Sequence, residues 1–216
     1  MFVKSVLVLR LVALAASLAI EHGTHGTLIG RSPFTLPPGL DAGIYTWSFD
    51  EAGNQVVKAE DFNVTSIAPV LDERHELDRR WNSINTWCGC GIWLDATDTN
   101  NANAILNHWF SDPNNPSMDP NPNILSPNSL TGAIANADAT VIAFVWNRGN
   151  SNVFVPTDIV PHTSIDISYN CGNFIAGTAQ VVGFPHLDYG YMRSNRDPYT
   201  AEGSLSRTCP GATGGQ

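Results

Sequence analysis

Lysine is almost absent from this 216-residue chain, since it occurs only at Lys4 and Lys58. Eleven basic residues of both kinds stand against twenty acidic ones, which gives a formal net charge of −9. Nucleic acids and anionic membranes are bound by clusters of basic side chains that displace counterions. The composition therefore argues against a nucleic-acid partner and against binding to an anionic membrane surface.

A long hydrophobic run is also lacking beyond the first twenty residues. Met1–Lys4 gives a positive start, Ser5–Leu18 is mostly apolar, and Ser17 with Ala19 places small residues before a cut after Ala19. Arg10 interrupts this run, which is shorter than the roughly 20 apolar residues that cross a bilayer. The pattern predicts a secretory signal, no membrane span and an extracellular location.

Cysteine is scarce, and its four positions are informative: Cys88, Cys90, Cys171 and Cys209. An even number in a secreted chain predicts two disulfides. A bond between Cys88 and Cys90 would be strained, so each is expected to pair with Cys171 or Cys209, and the sequence leaves both arrangements open. Because Cys-x-Cys is not a usual zinc spacing and no histidine lies near it, we expect neither a metal nor another cofactor.

The dibasic pair Arg79-Arg80 ends a charged segment, Leu71–Arg80, that is predicted to form a short helix. The pair has the form that kexin-like proteases of the fungal secretory route cleave. It separates a cysteine-free N-terminal segment, called the lead below, from the cysteine-bearing block. The alternative is that both arginines pair with neighbouring acidic residues. We predict three parts: a signal peptide over 1–19, a propeptide over 20–80 and a mature domain over 81–216.

The predicted propeptide contains one regular pattern. Gly43–Val57 alternates and then turns at Asp50–Asn54, which is typical of a β-hairpin. Because an isolated hairpin is marginally stable in water, it should either dock on the following domain or be only partly ordered. Asn63, followed by Val64-Thr65, is a candidate N-glycosylation site.

The block after Arg80 predicts an alternation of strands and helices. The helix Asn100–Phe110 has Asp98 or Thr97 as its N-cap, and the proline-rich stretch Ser111–Ser129 is expected to be a surface loop. A second helix is expected from near Ile159 to a stop at Cys171-Gly172, although Ile165, Ile167 and Tyr169 also alternate as in a strand. The predicted strands are Cys90–Leu94, Ala139–Asn147, Asn152–Val155, Phe174–Val182 and Leu187–Met192.

No serine stands in a nucleophile-elbow motif, so the sequence identifies no catalytic residue. A hydrolase reading would rest on three histidines with aspartates nearby, namely His108, His162 and His186 with Asp112, Asp166 and Asp188. Glu202 is the only glutamate after Arg80, which weakens a glycosidase interpretation. Aromatic residues could bind sugar instead, the candidates being Trp81, Trp87, Trp93, Tyr189 and Tyr191.

The order of these elements resembles that of small secreted cysteine-containing proteins of filamentous fungi, among them killer-toxin-like and necrosis-inducing effectors. The resemblance covers Trp81 to Cys209 and is carried by Val141–Asn147, Cys171-Gly172 and Gly190–Met192. It implies an α+β fold, an α/β sandwich in which a small antiparallel sheet has two helices on one face. It also implies action on the cells of another organism.

We therefore expect a secreted, proteolytically matured, disulfide-bonded protein that acts as a non-catalytic effector or toxin. Its target would lie on the surface of a host or competitor cell, and the protein is expected to be a monomer. The alternatives are a secreted hydrolase and a carbohydrate-binding module.

Overall fold

β-Branched and aromatic residues are concentrated in segments such as Gly43–Phe49 and Val141–Asn147, which form strands, as expected for side chains that fit a pleated surface. The computed structural model describes residues 40–62, 83–111, 123–137, 139–181, 183–184 and 186–194. Within them, the strands are β1 (Gly43–Phe49), β2 (Gln55–Ala59), β3 (Ser83–Trp93), β4 (Ile124–Leu125), β5 (Ser129–Ile134), β6 (Val141–Asn147), β7 (Val153–Phe154), β8 (Ile175–Val181) and β9 (Leu187–Arg193). The helices are α1 (Ala96–Ser111) and α2 (Ile159–Cys171).

Seven strands form one antiparallel sheet in the order β2-β1-β5-β6-β9-β8-β3, and β4 pairs with β7 in a separate two-stranded sheet. The central strand β6 is buried along its whole length. This agrees with its continuous apolar sequence, which is the pattern of a strand covered on both faces. The predicted α+β class, with two helices packed against an antiparallel sheet, is confirmed.

Both helices lie on the same face of the sheet. The hydroxyl of Tyr189 contacts Asn103 of α1, and the hydroxyl of Tyr191 lies 3.3 Å from that of Ser168 in α2. Tyr189 and Tyr191 are two residues apart in β9, so they project from the same side of the strand. Tyr189 therefore lies beneath α1 and Tyr191 beneath α2, in the layer between the sheet and the helices.

The opposite face is rich in buried aromatic side chains. Trp47, Phe144, Trp146 and Trp87 are each at most 2% exposed. Small residues make room for them: a Cβ atom at Gly190 would lie 2.7 Å from Cζ of Phe144. Both faces of the sheet are therefore buried, which explains why its strands read as apolar runs rather than clean alternations.

The predicted hairpin exists and is part of the main sheet. β1 pairs with β2 on one side and with β5 on the other. Of the two outcomes open to this hairpin, docking on the following domain is the one observed. The sheet is consequently larger than the small sheet expected from the cysteine-bearing block alone.

The predicted bounds of several strands and of the first helix differ from the observed ones. β3 starts well before the predicted strand Cys90–Leu94, and β5, with the sequence SLTGAI, was not predicted at all. α1 begins at Ala96 because Asp95 caps it: its Oδ1 accepts a hydrogen bond of 2.9 Å from the backbone N–H of Asp98. Asp98 is therefore not the N-cap. Its Oδ2 accepts hydrogen bonds from the backbone N–H and from the hydroxyl of Thr140.

The second predicted helix is present as α2, where the sequence pattern was mixed. Pro161 lies in its first turn, where a missing N–H costs little. Gly172, with φ of 98°, follows the last helical residue, and its N–H bonds to the carbonyl of Ser168. The helix predicted over 71–80 lies outside the described residues.

Candidate recognition surface at the disulfide

The C-terminal end of α2 is tied to strand β3 by a disulfide. Cys88 and Cys171 are bonded, with Cα atoms 5.3 Å apart. This is one of the two pairings that the sequence leaves open. The structure therefore shows one of the two predicted disulfides, and Cys209 lies outside the described residues.

Backbone conformations with positive φ concentrate around this disulfide. Cys90 has φ of 50°, Gly91 of 67°, Gly172 of 98° and Phe174 of 58°. Left-handed conformations are uncommon for residues with a side chain, above all for a bulky residue such as Phe174. Such strain persists only where surrounding contacts enforce it, and it clusters at ligand-binding and active sites.

Strand β3 bulges beside the disulfide. Cys88 is paired with Gly177 and Trp93 with Ile175, so a five-residue step on β3 faces a two-residue step on β8. The N–H of Leu94 then bonds to the carbonyl of Phe174 at 2.9 Å. Bulges of this kind re-aim side chains and are over-represented next to active sites. Here the bulge leaves Trp93 69% exposed.

Tyr169 is the other large exposed side chain at this end of α2, with 81% of its surface accessible. It is two residues from the fully buried Ile167, a rotation of about 200° around the helix. Tyr169 therefore points away from the sheet, while Ile167 packs toward Gly177. We call Trp93, Tyr169 and the half-buried Phe174 the aromatic corner.

The aromatic corner was only partly predictable. Trp93 was among the sugar-binding candidates and is exposed, as such a role requires. Trp87, Tyr189 and Tyr191 are at most 2% exposed, so these three candidates belong to the core rather than to a binding platform. Burial raises the pKa of Tyr191, and raises that of Tyr189 further. Trp81 lies outside the described residues.

The three candidate histidines lie on different elements. His108 is near the end of α1, where its ring centroid is 5.6 Å from that of Phe62. His162 is in the first turns of α2, and its Nε2 lies 3.7 Å from the Asp158 carboxylate. His186 precedes β9 and is exposed. The structure does not bring these three together into one site.

Asp188, which the hydrolase interpretation placed near His186, has Arg148 as its ion-pair partner. Its carboxylate is fully buried and forms an ion pair with Arg148, whose Nη2 donates a hydrogen bond of 3.0 Å to Oδ1. Burial raises the pKa of the Asp188 carboxyl, and the Arg148 guanidinium opposes that shift. This arrangement joins the end of β6 to the start of β9 and satisfies a buried charge.

The remaining predicted positions lie outside the described residues. They are Ala19, Asn63, Arg79, Arg80, Asp112 and Glu202. Across the described parts of the chain, no cluster of three or more histidine, cysteine or acidic residues could hold a metal ion. Within the same described residues, no helix has the length and apolar character needed to cross a membrane.

Comparisons with known proteins returned no relative. No family model, no curated protein and no solved structure matches this chain.

Proposed function

We propose that this chain is a secreted effector- or toxin-like protein that acts on other cells by binding, with the aromatic corner as its contact surface. The observation that carries the proposal is that Trp93 and Tyr169 are exposed at 69% and 81% on a backbone fixed by the Cys88–Cys171 disulfide. Tryptophan and tyrosine are enriched among the residues that dominate binding energy.

Rigidity supports a recognition role for this corner. A binding surface that is already ordered loses little conformational entropy on association, so more of the contact energy appears as affinity. The disulfide, the bulge in β3 and the Leu94–Phe174 hydrogen bond all restrain the backbone around Trp93. The disulfide also fits an oxidising, extracellular environment.

The finer parts of the proposal concern maturation. The signal peptide would be removed after Ala19, the chain would be cleaved after Arg80, and a second disulfide would join Cys90 to Cys209. Intact mass of the secreted protein before and after reduction tests all three together. Unchanged mass on reduction, or an N terminus other than the expected ones, would contradict the corresponding step.

Cell binding of epitope-tagged secreted protein tests the function. The variants are Trp93→Ala, Tyr169→Ala and the double substitution, applied to a panel of fungal, yeast and plant cells. Each truncation of a contact aromatic residue is expected to weaken binding about tenfold or more. Phe154→Ala is the matched control, because Phe154 is 52% exposed on β7, away from the corner. Equal binding by the double variant and the wild type would refute the role of the corner.

A carbohydrate-binding module is the second candidate, and the exposure of Trp93 favours it. Aromatic rings of this kind stack on the apolar faces of sugar rings. Glycan arrays and pulldown with insoluble cell-wall polysaccharides distinguish a sugar ligand from a protein ligand. Binding to a polysaccharide that is lost in Trp93→Ala would identify the ligand class, whereas binding to cells alone would favour a protein target.

A further inference from the structure

The β1–β2 hairpin lies on the N-terminal side of the predicted cleavage site, yet its backbone completes the main sheet. Residues Gly43–Trp47 of β1 pair in register with Leu130–Ile134 of β5, and β1 lies between β2 and β5. Removing the hairpin would leave β5 as an edge strand with unpaired N–H and C=O groups. Exposed edges of this kind promote aggregation.

Side chains of β1 contribute to the core on both faces of the sheet. Ile44, on the helix face opposite Ala133, has no accessible surface, and Trp47, on the other face, is 1% exposed. Trp47 lies over a glycine: a Cβ atom at Gly132 would be 3.0 Å from its Cζ3. The hairpin therefore fills space that nothing else in the described part of the chain occupies.

The segment after β2 adds a contact with the helix layer. The N–H of Glu60 bonds to the carbonyl of Ile44 at 2.9 Å. Phe62 then packs edge-to-face against Trp109 of α1, with ring centroids 5.4 Å apart. Residues 40–62 thus contact both the sheet and α1.

This segment has no covalent tie to the rest of the protein except through the main chain, because no cysteine precedes Cys88. We propose that the mature protein consists of two chains. The lead chain, which contains residues 40–62, remains non-covalently bound to the chain that begins at Trp81. A dibasic-specific protease would hydrolyse the Arg80–Trp81 peptide bond, consuming one water and leaving a carboxylate on Arg80 and an amino group on Trp81.

The inference concerns the composition of the mature protein, and it rests on the cleavage after Arg80 that belongs to the proposed function. It does not depend on what the aromatic corner binds, because the corner lies next to β3, at the opposite edge of the sheet from the hairpin. Loss of cell binding and loss of the lead chain are therefore separate outcomes of separate assays.

The first test compares native and denaturing mass spectrometry of the protein secreted by its producer. The expected result is one native species that contains both chains and separates into two on denaturation. An uncut chain, or a native species that lacks residues 40–62, would overturn the two-chain state.

Hydrogen exchange on the cleaved wild-type protein provides a second test that needs no destabilised variant. Amides of β5 at Leu130–Ile134 are expected to be as protected as those of the central strand β6. Exchange at β5 that is at least about tenfold faster than at β6 would indicate that the hairpin had left.

Two single substitutions in the hairpin test which of its side chains holds it to the rest of the protein. Trp47→Ala is expected to lower the amount of lead chain that is retained after cleavage about tenfold or more, since a large buried side chain is removed. Val56→Ala, at a 44% exposed position on the same hairpin, should leave retention unchanged. Equal retention by both variants would show that Trp47 does not hold the hairpin.

Discussion

The two edges of the seven-stranded sheet are held by different means. At one edge, the β1–β2 hairpin is attached through main-chain pairing and buried side chains such as Ile44 and Trp47. At the other edge, β3 is covalently joined to α2 through Cys88 and Cys171. The first edge can in principle separate after a chain break, whereas the second cannot. The exposed aromatic residues Trp93 and Tyr169 lie at the covalently fixed edge.

Breaking the disulfide should have the largest effect on stability. Cys88→Ser combined with Cys171→Ser releases a crosslink between residues 83 positions apart, which the chain-entropy model values at roughly 4–5 kcal/mol. Urea unfolding of the double variant and the wild type measures the difference. A loss below about 1 kcal/mol would show that packing alone holds β3 to α2.

Truncating the hairpin anchor should come next. Trp47→Ala removes a side chain that is 1% exposed and is expected to cost about 3–5 kcal/mol. Val56→Ala, on the exposed side of β2, should change stability by no more than about 0.5 kcal/mol. Urea unfolding of the uncleaved chain compares them, and similar losses for the two variants would contradict the assignment of Trp47 to the core.

The tyrosines between the two edges predict a specific response to alkaline pH. Burial raises the pKa of Tyr189 and Tyr191 above the value of about 10 that tyrosine has in the unfolded chain. The unfolded state therefore ionises first, so stability is complete below pH 10 and falls as the pH rises above it.

Unfolding measured between pH 8 and pH 11 tests this, with Tyr191→Phe as the comparison. The variant loses the contact with Ser168, worth about 1 kcal/mol, but should show a shallower alkaline decline. An identical decline in both proteins would assign the effect to other groups.

Truncation at the aromatic corner should have the smallest effect on stability. Trp93→Ala removes a side chain that is 69% exposed, so the free energy of unfolding should change by about 0.5 kcal/mol or less. Thermal unfolding beside the Phe154→Ala control checks this. A large destabilisation would mean that Trp93 has a structural role, and its binding role would then need a milder substitution such as Trp93→Phe.

Sequence reasoning was most successful where the local signal was strong. The continuous apolar run of β6 and the turn between β1 and β2 were predicted close to their observed bounds. β5 was missed because its sequence SLTGAI contains a glycine and small residues that carry weak strand propensity. Pairing with β1 and β6 on either side makes it a strand, and that pairing is a tertiary effect.

The candidate surface was harder to predict than the fold. Trp87 and Trp93 lie in the same strand and look equivalent in sequence, but one is buried and the other exposed because the bulge lies between them. Tyr169 could be recognised as exposed only once α2 was known to be a helix with Ile167 facing the sheet. The ion pair of Asp188 with Arg148, which follows the neighbouring strand β6, could not be read from the sequence, because the two residues lie 40 positions apart.

The sequence alone determined the charge balance, the position of every cysteine and the central strand β6, because these depend on residue type and on patterns within a few positions. Only the tertiary structure selected Cys171 as the partner of Cys88, placed the hairpin in the main sheet and separated exposed from buried aromatic residues. These outcomes depend on contacts between segments distant in sequence, such as β1 with β5 and β3 with α2. Local patterns do not encode which distant segments will meet, because many pairings bury similar amounts of apolar surface.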